Sequence, residues 1–475
     1  MSCVVTPLIL LELHFKTLLP INKLPHFHGP QWSALFRDIL KPYLPIDMPK
    51  VGFWVHPVET GILSYEKDEP IYLGVTFPAS YKAEIFRMLA DFNDSKVEKG
   101  HFQPGRTIFL EGVVCRITGD RWKHGNNAFL SEDLLRDEIE MLSGLSEFSI
   151  CFHAPLRLPR PEGHKEEGHH FCDEDFFFVE KSGERTAPIQ HLISRIRLQG
   201  GMPAGTQETD LKVSGGALMW LDISYGQDVM KTIGGVVGRI RVSGKPSLGV
   251  AERLVLGQYT GAGKNPVFGL GFYHIRELDG AKKIRPLVRG KTLLERGMSF
   301  VALKSSLDRL PNSSPGPDML TLEDIKKGGK DLLESISRNV IEGKYVYGGL
   351  KKYRYRKDDG NYREICVSNT ADRLVQRAIA DHLLPVVDRL LSTSSYAYRR
   401  GLNRKGAASA LRQALQEGYA FGLKADISAF FDSVNIEILG EILEGLLPFE
   451  PLVERIKRCA GAQGTGSETE NRRKP

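Results

Sequence analysis

The sequence predicts an α+β protein, and three observations carry that reading. Short apolar runs of strand character are spread over residues 1 to about 290, among them Ile9-Leu10-Leu11-Glu12-Leu13, Thr107-Ile108-Phe109-Leu110, Val236-Val237-Gly238-Arg239-Ile240-Arg241-Val242 and Gly271-Phe272-Tyr273-His274-Ile275. Helical patterns at Gln31 to Leu40, Ser131 to Leu142 and Pro246 to Leu256 interrupt them without a regular strand–helix alternation. The composition, 41% hydrophobic and 26% charged, belongs to a chain that buries cores and is not disordered throughout. At about 150 residues per domain, 475 residues suggest two or three domains.

The remaining composition narrows the class. The net charge of +6 permits an anionic partner without demanding one. Six cysteines without a CxxC pair fit reduced thiols and exclude a disulfide scaffold. Leu8 to Leu11 is apolar, but Glu12, His14 and Lys16 follow at once, so no signal peptide is read there. No run of about 18 apolar residues exists, so a membrane partner is not expected and a cytoplasmic location is.

The most specific feature of the first region is Gly261-Ala262-Gly263-Lys264-Asn265-Pro266-Val267-Phe268-Gly269-Leu270-Gly271. Glycines let a backbone take φ > 0 and approach a ligand closely, and exposed N–H groups around Lys264 would form a nest for phosphate oxygens. A dinucleotide fold puts such glycines after a strand and before a helix. Here the helical segment precedes and the strand follows, which argues against that fold.

The arrangement resembles the C-terminal glycine-rich loop of the repeat-RNA-processing endoribonucleases of CRISPR systems, members of the repeat-associated mysterious protein superfamily. Val237 to Gly244 is similar to that family's strand, Leu254 to Tyr259 to the helix end before its loop, and Leu24 to Arg37 to the loop and first helix after its first strand. The resemblance implies tandem ferredoxin-like domains over residues 1–290. It also implies RNA contact at Gly261, Gly263, Lys264, Gly269 and Gly271, against the alternative of a glycine-rich hairpin with no ligand. Such enzymes need no cofactor. The 2′-hydroxyl attacks the adjacent phosphate and a 2′,3′-cyclic phosphate remains, so DNA is not a substrate. Catalysis takes a general base and acid and a cation for the phosphorane. His28 is the first candidate for the acid/base role and His26 the second, the alternative being loop histidines with no role. His153, His164, His169, His170 and Cys172 lie close in sequence but lack paired-ligand spacing, so no metal site is read there.

Leu310 to Pro317 is rich in Pro, Ser and Gly, and residues 291–339 read as a linker. Residues 344–405 then carry 14 basic and six acidic side chains, interleaved with seven tyrosines, a pattern suited to phosphate contact and base stacking. Four blocks in order, Lys357 to Ile365, Asp372 to Ala378, Ser395 to Gly401 and Leu423 to Val434, resemble the finger hairpin, following helix, next block and first palm motif of bacterial and group II intron-type reverse transcriptases. The resemblance implies an incomplete reverse-transcriptase fingers and palm over 340–460. Asp426 would be the catalytic ligand for Mg²⁺, Phe431 the aromatic gate against a 2′-hydroxyl, and Lys357 and Arg363 the binders of the triphosphate.

Two-metal chemistry needs more carboxylates than Asp426, and no Tyr-x-Asp-Asp follows it; Tyr355 to Asp359 matches only in letters and precedes the palm motif. The expectation is therefore a truncated or frame-shifted reading frame without polymerase activity of its own, ending in a polar tail over 461–475. The combined order resembles a CRISPR RNA-processing domain fused ahead of a reverse transcriptase, a fusion that often continues into the spacer integrase. It implies repeat RNA, an RNA template with a DNA primer, and the integrase complex as partners. Two rivals stay open: an RNA-binding but non-cleaving protein or remnant, and a group II intron-type maturase with an unrelated N-terminal domain.

Overall fold

The structure, a computed structural model, describes residues 7–44, 53–57, 59–123, 129–161, 170–178, 187–196, 209–225, 231–356, 360, 362–427 and 430–464. The chain divides into two compact units, Met1–Thr292 with Gly440–Val453, and Leu293–Leu439 with Glu454–Pro475.

The first unit opens with β1 (Leu8–Thr17), whose near-continuous apolar run is what a central strand covered on both faces requires. Helix α1 (Gly29–Leu40) has Pro30 in its first turn and buries Trp32, Leu35, Phe36 and Ile39, the three-to-four spacing of one helix face. Strands β2 (Trp54–Pro57) and β3 (Pro70–Pro78), helix α2 (Lys82–Ala90) and strand β4 (Ile108–Cys115) follow. The sheet order is β2-β3-β1-β4, with β1 antiparallel to both β3 and β4. That is a β-α-β-β-α-β ferredoxin-like domain. The indole of Trp32 stacks on Phe102 at 3.9 Å and on Phe15 of β1 at 5.2 Å, fixing α1 to the sheet.

A short β5 (Phe129–Leu130) on β1 and helix α3 (Glu132–Gly144) lead to a second copy of the same plan. It runs β6 (Glu147–Leu156), α4 (Glu174–Phe178), α5 (Ala187–Ser194), β7 (Lys212–Tyr225), β8 (Lys231–Ser243), α6 (Leu248–Thr260) and β9 (Tyr273–Ile275). Its order, β7-β8-β6-β9, repeats the first sheet strand for strand. The expected tandem ferredoxin-like architecture is thus the observed one. Ser247 caps α6 by accepting the Val250 N–H, and α6 is tied to β9 by the Tyr273 hydroxyl donating to the Leu254 carbonyl at 2.8 Å. Residues 440–453 complete this unit: Leu443, Leu446, Leu447 and Leu452 are buried, and Glu441 accepts from Arg239 and, at 3.0 Å, from Arg241.

In the second unit, residues 291–339 depart from the expected linker. They form α7 (Leu293–Gly297), α8 (Phe300–Asp308), α9 (Leu322–Lys327) and most of α10 (Gly329–Ile341), and the longest stretch outside a helix is 309–321. Leu303 and Leu307, then Leu333, Ile336 and Val340, recur at helical spacing and are buried, while a Thr321–Asp324 capping box starts α9. The Pro/Ser/Gly cluster masked this periodicity on either side of it. Next come the antiparallel hairpin β10 (Lys351–Arg356) and β11 (Tyr362–Val367), where the finger hairpin was expected, and α11 (Thr370–Val387). Helices α12 (Arg404–Gln416), α13 (Phe430–Ser433), α14 (Ile436–Leu446) and α15 (Pro451–Gly464) complete the order. Residues 461–464 continue α15 where the polar tail was expected to begin; 465–475 lie outside the described residues. No described helix is long and apolar enough to cross a membrane.

Truncating the stacked indole in Trp32→Ala should cost about 3–5 kcal/mol by removing a fully buried aromatic. Urea unfolding of the full chain, followed by tryptophan fluorescence and circular dichroism, checks this; a loss under about 1 kcal/mol would contradict the packing role.

Candidate nucleic-acid interface

The glycine-rich loop joins the C-terminus of α6 to β9. Gly261, Gly263, Gly269 and Gly271 all have positive φ, between 74° and 80°. Its backbone N–H groups do not form the expected phosphate nest, because protein carbonyls already take them. Gly261 donates to Gly257, Ala262 to Gly271, Gly263 to Arg195, Lys264 to Arg157, Gly269 to Pro266 and Gly271 to Pro155, all at 2.8–3.0 Å. The glycines instead allow backbone to pack on backbone: a Cβ on Gly269 would stand 2.8 Å from the Val55 carbonyl, and one on Gly271 would collide with the Ala262 carbonyl. What the loop offers a ligand is the exposed Lys264 side chain and the half-buried ring of Phe268.

Around these two residues the fold gathers a strip of alternating cations and aromatic rings. The Arg37 guanidinium of α1 lies 5.8 Å from the Phe268 ring, and Phe268 is 6.1 Å from Tyr225 at the end of β7. Burial lowers the Arg157 pKa below the usual guanidinium range, and Tyr225 is near enough to offset part of that shift. Arg157 sits 4.0 Å over the Phe171 ring, and the Lys264 ammonium approaches the same ring at 5.7 Å. Arg37 and Lys264 are exposed, and the other four side chains are half-buried. Three cations between three rings can hold phosphates while bases stack. Sequence reasoning found Lys264 but missed Arg37, Arg157, Phe171, Tyr225 and Phe268. They come from five separate segments, so no local spacing links them.

His28 occupies the cap position of α1. Its ring is 1% exposed, with Nε2 bonded to the Ile62 carbonyl at 2.8 Å, and burial pushes its pKa down to about 4. His26 is also buried, with Nε2 on the Leu446 carbonyl at 2.9 Å. Both histidines sit beneath the surface, not in an exposed loop. They are spatially linked to the strip, since a Cβ on Gly29 would run into the Phe268 carbonyl.

In the second unit, the hairpin presents Tyr355 and Tyr362 with Lys352 and Arg354 on exposed strands. Arg363 lies on β11 opposite Tyr355, and Lys357 lies outside the described residues. Two of the motif residues are architectural. Asp372 is buried and accepts from the Tyr345 hydroxyl at 2.7 Å and the Gly348 N–H at 3.0 Å; burial raises its pKa. Arg399 ties off Asp388 at 2.6 Å and the carbonyls of Ser392 and Ser395.

Asp426 is exposed and follows a stretch, 421–425, that pairs with no described strand. The strand expected there is therefore not formed: backbone N–H and C=O groups need a ladder partner. Phe431 falls on α13. No set of three or more His, Cys, Asp or Glu side chains is gathered to hold a metal among the described residues. Asp426 by itself does not fit a two-metal Mg²⁺ centre.

The architecture is a tandem ferredoxin-like unit followed by a unit of helices and one two-stranded hairpin. Residues 355–471 match the reverse transcriptase (RNA-dependent DNA polymerase) family, a match that runs past Gly461 into the stretch expected to be a polar tail. The putative COX1/OXI3 intron 1 protein of Saccharomyces cerevisiae is 23% identical over 128 residues, 27% of this chain and 15% of that protein. A chain of a partial Cas6-RT-Cas1–Cas2 complex superposes with a TM-score of 0.68 at 20% identity, covering 96% of this chain and 78% of that one. A chain of a Cas6-RT-Cas1–Cas2 complex gives the same TM-score and identity, and this chain spans 49% of its length. The likeness of fold to these chains covers nearly the whole of this chain, the N-terminal unit included.

The neutral His28 makes stability depend on pH. Its folded pKa lies below the unfolded value near 6.5, so the contribution is present above pH 6.5 and is lost as pH falls toward 4. Acidifying over that window should remove about 3 kcal/mol through this group. His28→Gln should flatten the pH dependence of the urea midpoint; an unchanged slope would contradict the burial.

Proposed function

We propose that the first unit binds CRISPR repeat RNA along the Arg37–Phe268–Tyr225–Arg157–Phe171–Lys264 strip and cleaves it without a metal ion. The observation that carries this reading is the strip itself, three cations interleaved with three rings on a tandem ferredoxin-like scaffold. In the reaction, the ribose 2′-oxygen bonds to phosphorus as a base takes its proton, and the bond to the 5′-oxygen breaks as an acid supplies one. The products are a 2′,3′-cyclic phosphate and a 5′-hydroxyl. Arg157 and Lys264 supply the positive charge that the phosphorane needs. The glycines act on the RNA indirectly, by setting the positions of Lys264 and Phe268.

His28 is the first candidate for the acid/base and His26 the second. Either ring would have to leave its carbonyl partner to reach a scissile phosphate. That burial favours a second reading, in which the unit holds repeat RNA without cutting it.

For the second unit we propose contact with template and primer through the basic, tyrosine-rich hairpin, and association with a Cas1–Cas2-type spacer integrase. The second part rests on the partners named for the chains of similar fold. Lys357 and Arg363 are the proposed triphosphate contacts, Phe431 the proposed sugar gate, and Asp426 the proposed catalytic carboxylate of a complete palm.

Cleavage of a repeat hairpin by the full chain in EDTA, abolished by a single 2′-deoxy at the scissile nucleotide, is the expected result. Retention without cleavage would select the second reading, and neither binding nor cleavage would overturn both. Phe171→Ala should weaken RNA binding roughly tenfold, the value of one lost stacking platform. Residues 1–475 should not extend a primer with Mg²⁺ and dNTPs, since no set of three or more metal-ligating side chains is gathered around Asp426 among the described residues; template-dependent cDNA from the purified chain would refute this.

A further inference from the structure

Between the two sheets of the first unit lies a cavity of about 450 Å³ that the RNA strip does not use. It is of the size that holds a small organic ligand, for which roughly 300–1,000 Å³ is usual. Its cations are Arg116, Lys282 and Arg289. Lys282 is paired with Asp279 at 2.8 Å, and Arg289 with Glu450 at 3.3 Å and the Pro448 carbonyl at 3.1 Å.

Arg116 differs. It follows β4, is 7% exposed, and its one side-chain hydrogen bond among the described residues runs from Nε–H to the Arg285 carbonyl at 3.4 Å. The nearby buried carboxylate, Glu12, is already taken by Arg285, the Val288 N–H and His14. A buried guanidinium without a carboxylate is costly to keep, and burial lowers the Arg116 pKa accordingly. An anion in the cavity would relieve that cost and would make charge-assisted hydrogen bonds.

The cavity also has a slot for a flat ring. His153 of β6 and His274 of β9 stand 5.7 Å apart, and the Phe449 ring lies 5.2 Å from each. Nδ1 of His274 is buried with no hydrogen-bond partner. Phe449 is a non-glycine residue at φ 59°, so its seat carries backbone strain. A nucleobase has the shape of the ring that now fills the slot, and it could take the hydrogen bond that His274 lacks.

We propose that this cavity is a nucleotide site. Arg116 receives a phosphate monoester, and the base takes the place of the Phe449 ring against the edges of His153 and His274 when Phe449 withdraws. The inference goes beyond the RNA strip and does not depend on it.

The test is binding of 5′-AMP to the full chain by calorimetry, with adenosine as the control lacking phosphate. AMP should bind at least about tenfold tighter than adenosine, and Arg116→Gln should remove that advantage, as expected for a charge-assisted contact. Phe449→Gly, which vacates the slot and accepts the positive φ, should strengthen AMP binding. A 5′-phosphorylated RNA trinucleotide compared with AMP distinguishes an RNA end from a free nucleotide as the source, and tighter binding of either supports the site. Equal affinity for AMP and adenosine, or no binding of AMP, overturns the proposal. Should Arg116→Gln fail to fold, Phe449→Gly decides, and unchanged AMP affinity in that variant overturns it.

Discussion

Everything in the first unit depends on close backbone contact at the glycine-rich loop. Gly263 and Gly271 bring their chains against the carbonyls of Arg157 and Ala262, while Gly269 reaches Val55 and Gly29 receives the Phe268 carbonyl. Through these approaches the second ferredoxin-like half meets α1 and β2 of the first. Any side chain at those points would hold the surfaces apart, because backbone atoms cannot move aside as a side-chain tip can. The strip of cations and rings is a consequence, since Lys264 and Phe268 project from the same loop and their partners come from the elements it touches.

The site therefore separates what touches a ligand from what holds the site together. The loop's N–H groups are consumed in hydrogen bonds to Arg157, Arg195, Gly271 and Pro155, leaving side chains to face solvent. The second unit shows the same division. Asp372 and Arg399 fall in the motif blocks, and each satisfies backbone groups of its own neighbourhood. Their places in the motif blocks serve the scaffold.

Much of the fold was legible because its signals are local. The apolar run at β1, the spacing of Trp32, Leu35, Phe36 and Ile39, and the glycine pattern each speak through a few neighbouring residues. The helices from Leu293 to Ile341 were missed because Pro311 to Pro317 sits among them and composition outweighed periodicity there. The candidate site was legible only at Lys264 and in the glycines. Whether an N–H is free, or a histidine buried, depends on carbonyls such as those of Arg157, Ile62 and Leu446, which lie tens to hundreds of residues away. Arg116 was invisible for the same reason, as only the fold shows that Glu12 is already committed to Arg285.

The assignment of residues 440–453 to the first unit means that the two parts of this fusion are interleaved along the chain, not strung in series. Glu441 neutralises Arg239 and Arg241, the Leu446 carbonyl receives His26, and Glu450 answers Arg289. A stretch inside the residues that match the reverse-transcriptase family thus belongs to the unit of the two ferredoxin-like sheets. Cutting the chain anywhere between residues 293 and 439 would therefore strip the first unit of those partners.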